Sequence, residues 1–420
     1  MPIPEAMRPA AAVVVRPMRT LWLLSIAHAV NHAQAVLLPL IYLKIIDEFG
    51  VSVGTVAILA GLSSFAAGIV QLSFASLTRL YPRRVLLGIG GILFGGAQAL
   101  MAAAPNFGAV AGLLVASRIG GSPQHPVGNG LLAEQFPVHR RGFAISAHIA
   151  GGNVGTVIVP LLGAWLIAGV GWRWTLVLFG VPAVLIALAI LALVTEAGSD
   201  RAAAQARGSV RSAFATILHD RDLVWLFLSS VLGGGGRGLG VVNVFVPLYL
   251  AHVIHLDAGT VALMYAVLVV FSVPAPLVAG WLSDRFGRKP LIVGVYVAGA
   301  GSFVVFLAAG SSLLGLWAGI VLLGVFNFAE SPQLQALLAD IAPAAIRDAS
   351  YAAYFTLAFG VGSLWVAVYG AVIDALGETA GLPLVFGLMG VAFLLAALSV
   401  MPIHADQRAA ANKLAETIEP

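Results

Sequence analysis

The chain has 420 residues, of which 60% are hydrophobic and only 10% charged, and its mean hydropathy is +0.99. Soluble domains carry about 25% charged residues, so this composition excludes an ordinary soluble protein, and it equally excludes an intrinsically disordered one. The net charge is +4, yet the cations sit in short clusters between apolar stretches, which fits membrane topology and not nucleic-acid binding. There is no cysteine, so disulfides, zinc–thiolate sites and thiol nucleophiles are absent.

Residues 1–20 hold Arg8, Arg16 and Arg19 around a short apolar run. They lack a long hydrophobic region and a small-residue cleavage site, and read as a cytoplasmic tail, not a signal peptide. A bilayer core takes about 20 apolar residues in a helix. Twelve such stretches follow, at 21–45, 53–77, 85–104, 107–132, 143–168, 172–194, 223–251, 259–282, 291–310, 313–338, 349–375 and 382–401. Backbone amides in hydrocarbon must bond internally, so these are predicted helices. With the N-terminus inside, 18 of the 22 Lys and Arg fall on the cytoplasmic side, which predicts both termini in the cytoplasm of a multi-pass protein of the cell inner (plasma) membrane. The longest polar interruption leaves six spans on either side. The predicted organisation is a tail (1–20), a six-helix bundle (21–194), a cytoplasmic linker (195–222), a second bundle (223–402) and a tail (403–420). The fold class is therefore an all-α membrane protein of two pseudo-symmetric six-helix bundles.

An ionisable group at mid-bilayer costs about 2.5–3.5 kcal/mol on insertion scales, so each one within a span is a functional candidate. Span one places His28, Asn31 and His32 on one helical face, and span two adds Gln71. Span four carries Arg118, Ser122, His125 and Asn129 at offsets that share one face, and span five carries His148 and Asn153. His28 and His32 have metal-ligand spacing. No carboxylate or thiolate in the first-half spans completes a shell, so no metal is expected; one histidine is expected to titrate near neutral pH and the other to be a hydrogen-bonding lining residue.

In span seven, Gly233–Gly236 precedes Arg237 and Asn243. No strand leads into this run and no Lys-Ser/Thr follows it, so it reads as a deformable or closely packed helix, not a phosphate loop. Span ten offers Asn327, Glu330 and Gln333 beside Pro332, and span eleven offers Tyr351 and Tyr354. Glu330 is the one acid placed well inside a span and must be paired or protonated. A standing pair with Arg237, and protonation that frees Arg237 for an anion, are both open. Neither a Gly-x-Ser-x-Gly nor a His-Glu-x-x-His pattern occurs, and no enzyme activity or cofactor is expected.

The junction of spans eight and nine reads Gly280-Trp-Leu-Ser-Asp284-Arg285-Phe-Gly287-Arg288-Lys289. This resembles, in full, the loop signature of the major facilitator superfamily. The resemblance implies conformational gating by Gly280, Asp284, Arg285, Gly287, Arg288 and Lys289, alternating access, and a cavity lined by spans one, four, five, seven, ten and eleven. The equivalent first-half stretch, Ala75 to Arg84, is degenerate, with Arg79 in the place of the acid. His28-Ala-Val-Asn31-His32, Leu38-Pro39-Leu40, Tyr81-Pro82, Gly121-Ser122, His125-Pro126 and Gly151-Gly152-Asn153-Val154-Gly155 are similar to the fosmidomycin-resistance branch. That branch implies proton-coupled export; the substrate is expected to be a small anionic drug or metabolite carried by a monomer, with uptake of an organic anion as the alternative. His32 replaces the branch's acid, so Glu330 and His32 are the coupling candidates. Arg118 and Arg237, one in each half, would grip the anion; for Arg118 a structural role, pairing with backbone carbonyls, is the alternative.

Overall fold

The computed structural model describes residues 14–196, 210–343 and 346–404. Ten of its helices are long and apolar enough to cross a membrane. Two further passes come from local geometry. The helical stretch Gly151–Leu193 is two passes joined at Gly171, whose φ of 81° and ψ of 160° turn the chain without a loop. The fourth pass, residues 107–135, is interrupted by a tight turn at Ser122–Gln124 and so falls short as a single helix. The twelve passes are labelled α1 (Pro17–Phe49), α2 (Val53–Leu80), α3 (Arg83–Met101), α4 (107–135), α5 (138–170), α6 (172–193), α7 (Arg221–His252), α8 (258–286), α9 (Arg288–Ala308), α10 (Leu313–Ile341), α11 (347–376) and α12 (Glu378–Val400). Of the stretch read as linker, residues 197–209 lie outside the described residues and Val210–His219 forms a short helix. Of the two tails, residues 1–13 and 405–420 also lie outside them.

The halves repeat each other locally. Gly377 joins α11 to α12 with φ 78° and ψ 161°, matching Gly171 between α5 and α6; a positive φ at both places is one that only glycine adopts without strain. Ser52 caps the N-terminus of α2 and Asp257 that of α8; Asn106 caps α4 and Ser312 caps α10. Each side-chain oxygen accepts from an amide that the helix itself leaves unpaired.

The outer surface is apolar all round, with Trp22 and Trp281 exposed near one end and Trp165 and Trp174 near the other. Such a surface faces lipid, and tryptophan favours its two boundaries. This is an integral membrane protein.

The two ends of the molecule differ. At the end carrying Ser52, Gly171, Asp257 and Gly377, α2 packs on α11, the α5–α6 stretch packs on the first half of α8, and α1 packs on the last half of α7. The Tyr265 hydroxyl donates to the Val36 carbonyl at 3.2 Å, Ser363 donates to the Gly61 carbonyl at 3.3 Å, and Ser52 donates to the Asp374 carboxylate. Gly54, Gly61 and Gly68, seven residues apart on α2, meet Gly370, Ala367 and Gly360 of α11 backbone to backbone. Small residues at that interval let two helices approach closely. Toward the other end, where the Arg-rich loops lie, no pair of elements among the described residues packs closely across the bundles. Among the described residues the bundles meet at one end and show no close packing at the other.

Candidate functional site

Most of the polar side chains singled out in the sequence gather in two clusters, one in each bundle. In the first bundle the break in α4 is decisive. Pro126 starts a new helical segment after Ser122–Gln124, so Arg118, Ser122, His125 and Asn129 do not run along one regular face as the spacing predicted. Ser122 turns inward and donates to the Ile119 carbonyl at 2.6 Å, and Gln124 donates to the Leu24 carbonyl of α1 at 3.1 Å. His125 is thereby set against α1. Its ring centroid lies 4.9 Å from that of His28 and 6.1 Å from that of His32, and His28 and His32 are 4.4 Å apart. From α5, His148 stacks on His28 at 4.4 Å. Spacing within one span had paired only His28 with His32. The third and fourth imidazoles arrive from other helices, so the missing-ligand objection to a metal no longer holds.

Arg118 is half-buried eleven residues into α4, roughly 16 Å along it at 1.5 Å per residue. Its guanidinium lies beside the Tyr42 hydroxyl, and its Nε is buried without a hydrogen-bond partner. Asn31 faces a recess inside the bundle lined by Leu87, Phe94, Gly121 and Pro123. Gln71, Asn129 and Asn153 are half-buried, and the Asn129 carbonyl oxygen has no partner.

In the second bundle α7 is unwound between Gly233 and Asn243. Arg237 has an extended ψ of 135°, and Leu239 and Gly240 leave helical space. The glycine run is thus a helix break, and a close-packed one: side chains at Gly235 and Gly236 would collide with Ala392 and Phe393 of α12. Unwound backbone inside a membrane protein is tolerated where neighbours satisfy it. Here Arg237 does much of that. It is 5% exposed, forms an ion pair with Glu330 (0% exposed), and donates to the Ala358 carbonyl at 2.7 Å and the Ser230 carbonyl at 2.9 Å. Glu330 opens the second segment of α10, after a break at Phe328–Ala329, and receives the Tyr296 hydroxyl at 3.4 Å. The Arg237 guanidinium also lies over the Phe359 ring. In this conformation every donor group of Arg237 is engaged within its own bundle, so contact with an anion requires Glu330 to let go.

Around this pair, Asn327 donates to Ser302 and to the Leu323 carbonyl, both at 3.0 Å, and Gln333 to the Pro276 carbonyl at 3.4 Å. The side-chain oxygens of Asn243, Asn327 and Gln333 are buried without partners. Tyr354 meets Ser331 at 3.1 Å, and Tyr351 donates to the Gln335 carbonyl at 3.0 Å. Tyr42, Tyr296, Ser229, Ser230 and the α2 glycine stripe escaped the sequence reading. Only the stripe had a sequence signal, its constant interval of seven.

The loop signature at α8–α9 closes on α10: Arg288 pairs with Asp340 at 3.2 Å and with Ser283. Lys289 donates to the Ile403 carbonyl at 3.0 Å, at the end of α12, and Arg285 lies over Trp281. Gly287 has φ 94°, and Gly280 stands near Gln333. The Asp284 side chain lies outside the described residues, as does that of Arg79. At the matching place in the first bundle, Arg83 pairs with Glu134 at the end of α4, while Glu196 caps the N-terminus of α3 through the Arg83 and Arg84 amides at 3.0 and 2.7 Å. The degenerate first-half loop therefore keeps the same loop-to-helix ion pair. These pairs are partly exposed, and exposed pairs contribute about 0–1 kcal/mol. Asp340→Asn is expected to lower unfolding stability by less than about 1 kcal/mol, read as a small shift of thermal midpoint in detergent.

Comparison with known proteins agrees with this architecture. The sequence model of the Major Facilitator Superfamily matches residues 24–367 and 238–418. The chain is 28% identical over 362 residues to the fosmidomycin resistance protein of Escherichia coli (strain K12), covering 84% of this chain and 85% of that one. It is 24% identical over 321 residues to a probable L-galactonate transporter of the same organism, covering 71% of each. Among solved structures, a bacterial homologue of the human lysosomal transporter Spinster, in an inward-facing and occupied conformation, superposes with a TM-score of 0.74 at 17% identity over 94% of this chain and 98% of that one. A D-xylose–proton symporter gives 0.72 at 19% identity over 92% and 98%.

Proposed function

The chain belongs to the major facilitator superfamily, and from that premise we propose that it is a proton-coupled secondary transporter that exports a small organic anion. The bundles rock about a midplane site. With the Arg-rich loops in the cytoplasm, the state described above is open inward. The observation that carries the anion reading is Arg118, a mid-span cation with an unmade hydrogen bond inside the first bundle. A buried donor of this kind is costly until a ligand completes it. Glu330 carries the proton in the return half of the cycle, its protonation dissolving the pair with Arg237, while the anion is held by Arg118 in the proton-free state.

Export is supported by the similarity to a fosmidomycin resistance protein, whose name refers to a phosphonate. Uptake is favoured by a different observation, the similarity to a probable L-galactonate transporter and to the cis,cis-muconate transport protein of Acinetobacter baylyi (strain ATCC 33305 / BD413 / ADP1), 26% identical over 282 residues. All three names refer to small anions. Resistance conferred by overexpression, against growth on the anion as carbon source, separates the two directions.

The test is transport in proteoliposomes under an imposed pH gradient, screened over phosphonates and organic acids. Gradient-driven flux of at least one anion is expected, and Arg118→Gln should lower it at least about tenfold, since a charged hydrogen bond is worth roughly 1.5–3 kcal/mol. Flux indifferent to the gradient, or to this substitution, would overturn the reading.

A further inference from the structure

The imidazoles of the first bundle hold a geometry that anion transport does not use. We propose that His28, His32 and His125 form a binding site for one divalent transition-metal ion. A ring nitrogen of each lies within 4.8 Å of the others. A tetrahedral ion with metal–nitrogen bonds of about 2.0–2.1 Å sets its ligand nitrogens roughly 3.4 Å apart, so small side-chain rotations close the shell.

The hydrogen bonds around the rings orient them as ligands. His28 Nδ1 lies 2.9 Å from the His148 carbonyl oxygen, which can only accept. Nδ1 therefore carries the hydrogen, and Nε2 presents a bare lone pair. His28 is 1% exposed and its Nε2 has no partner. His32 Nδ1 lies 3.2 Å from the Thr156 hydroxyl, which itself donates to the Gly152 carbonyl. With the hydroxyl proton on the Gly152 carbonyl, the hydroxyl accepts from Nδ1, the tautomer that leaves the His32 Nε2 as a lone pair. Metal-bound histidines characteristically donate their second ring nitrogen to a carbonyl or hydroxyl in this way.

A buried lone pair with no donor near it is satisfied by a cation. An all-imidazole set suits zinc, copper, nickel or cobalt and not calcium or magnesium, which take oxygen ligands. His32 and His125 are only half-buried, and three protein ligands leave the fourth position to water or another small ligand. Three protein ligands with one open position is the arrangement of an exchangeable site, not of a closed structural one.

The full chain, purified through a tag without histidine and stripped with EDTA, is titrated with zinc chloride and, as a spectroscopic probe, cobalt chloride. One equivalent should bind, with the intense visible bands of tetrahedral cobalt(II) and a zinc absorption edge showing imidazole ligands. His32→Ala and His125→Ala should each weaken affinity at least about 100-fold, and Thr156→Val, which removes only the group steadying the His32 ring, about 10- to 100-fold. His219→Ala, on the short helix before α7, should leave affinity unchanged. If the histidine variants do not fold, the edge spectrum of the unaltered protein still decides. No saturable equivalent, an oxygen-only edge, or affinity indifferent to His125→Ala would overturn the proposal. Binding is read without any gradient, so its failure leaves the transport reading standing, and the reverse also holds.

Discussion

Glu330→Ala lowers unfolding stability by about 3–5 kcal/mol, because it strands a guanidinium in a site where it is 5% exposed. Arg237→Ala costs a similar amount for the opposite reason, leaving a carboxylate at 0% exposure without its cation. The two effects do not add. A doubly apolar replacement, Arg237→Leu with Glu330→Leu, removes both charges together and should recover most of the loss, since replacing a buried pair by apolar residues is often neutral. The coupling energy comes from the double-mutant cycle, measured by chemical unfolding in detergent micelles. Single variants that each lose under about 1 kcal/mol would mean that water already reaches the pair. The doubly apolar protein also separates structure from function. It keeps the fold, and if Glu330 carries the proton its flux no longer follows an imposed pH gradient.

Gly68→Val should force the sealed end apart. A Cβ there would fall on the backbone of Gly360, and backbone cannot swing aside as a side chain can. Overpacking of this kind costs roughly 1–3 kcal/mol, here levied on one conformation, so it shifts the balance between conformations by up to about a hundredfold. The natural chain has no cysteine, so a single introduced thiol reports cleanly. Ala57→Cys lies on the same α2–α11 contact at 0% exposure. Its maleimide labelling should be slow in the parent background and at least about tenfold faster with Gly68→Val. Transport should fall in parallel, because a carrier that cannot seal this end cannot complete its cycle. Unchanged labelling would show that the contact is not the seal.

Much of the fold was legible from hydropathy and charge. Arg83, Arg288 and Lys289 fall between predicted spans because cations do not remain in hydrocarbon, whereas the caps Ser52, Asn106, Asp257 and Ser312 emerged only from the structure. The pairing of Arg237 with Glu330 was also within reach. Two opposite charges this deep in apolar spans have few other partners. The histidine site was half legible. The i, i+4 spacing of His28 and His32 placed two rings together, but His125 joins them only because α4 breaks at Ser122–Gln124; Pro126 signals a kink there, but not which helix the ring then meets.

Composition and charge order alone determined that this is a twelve-pass membrane protein with scarce, hence informative, polar groups. Burial in lipid makes each such group expensive, and the expense is written residue by residue along the chain. Which groups meet, which end is sealed, and which cation has an unmade bond were decided by tertiary packing alone. Those properties depend on helix breaks, on glycines meeting across the bundles, and on rings from α1, α4 and α5 converging on one point, and no periodicity within a single helix records them.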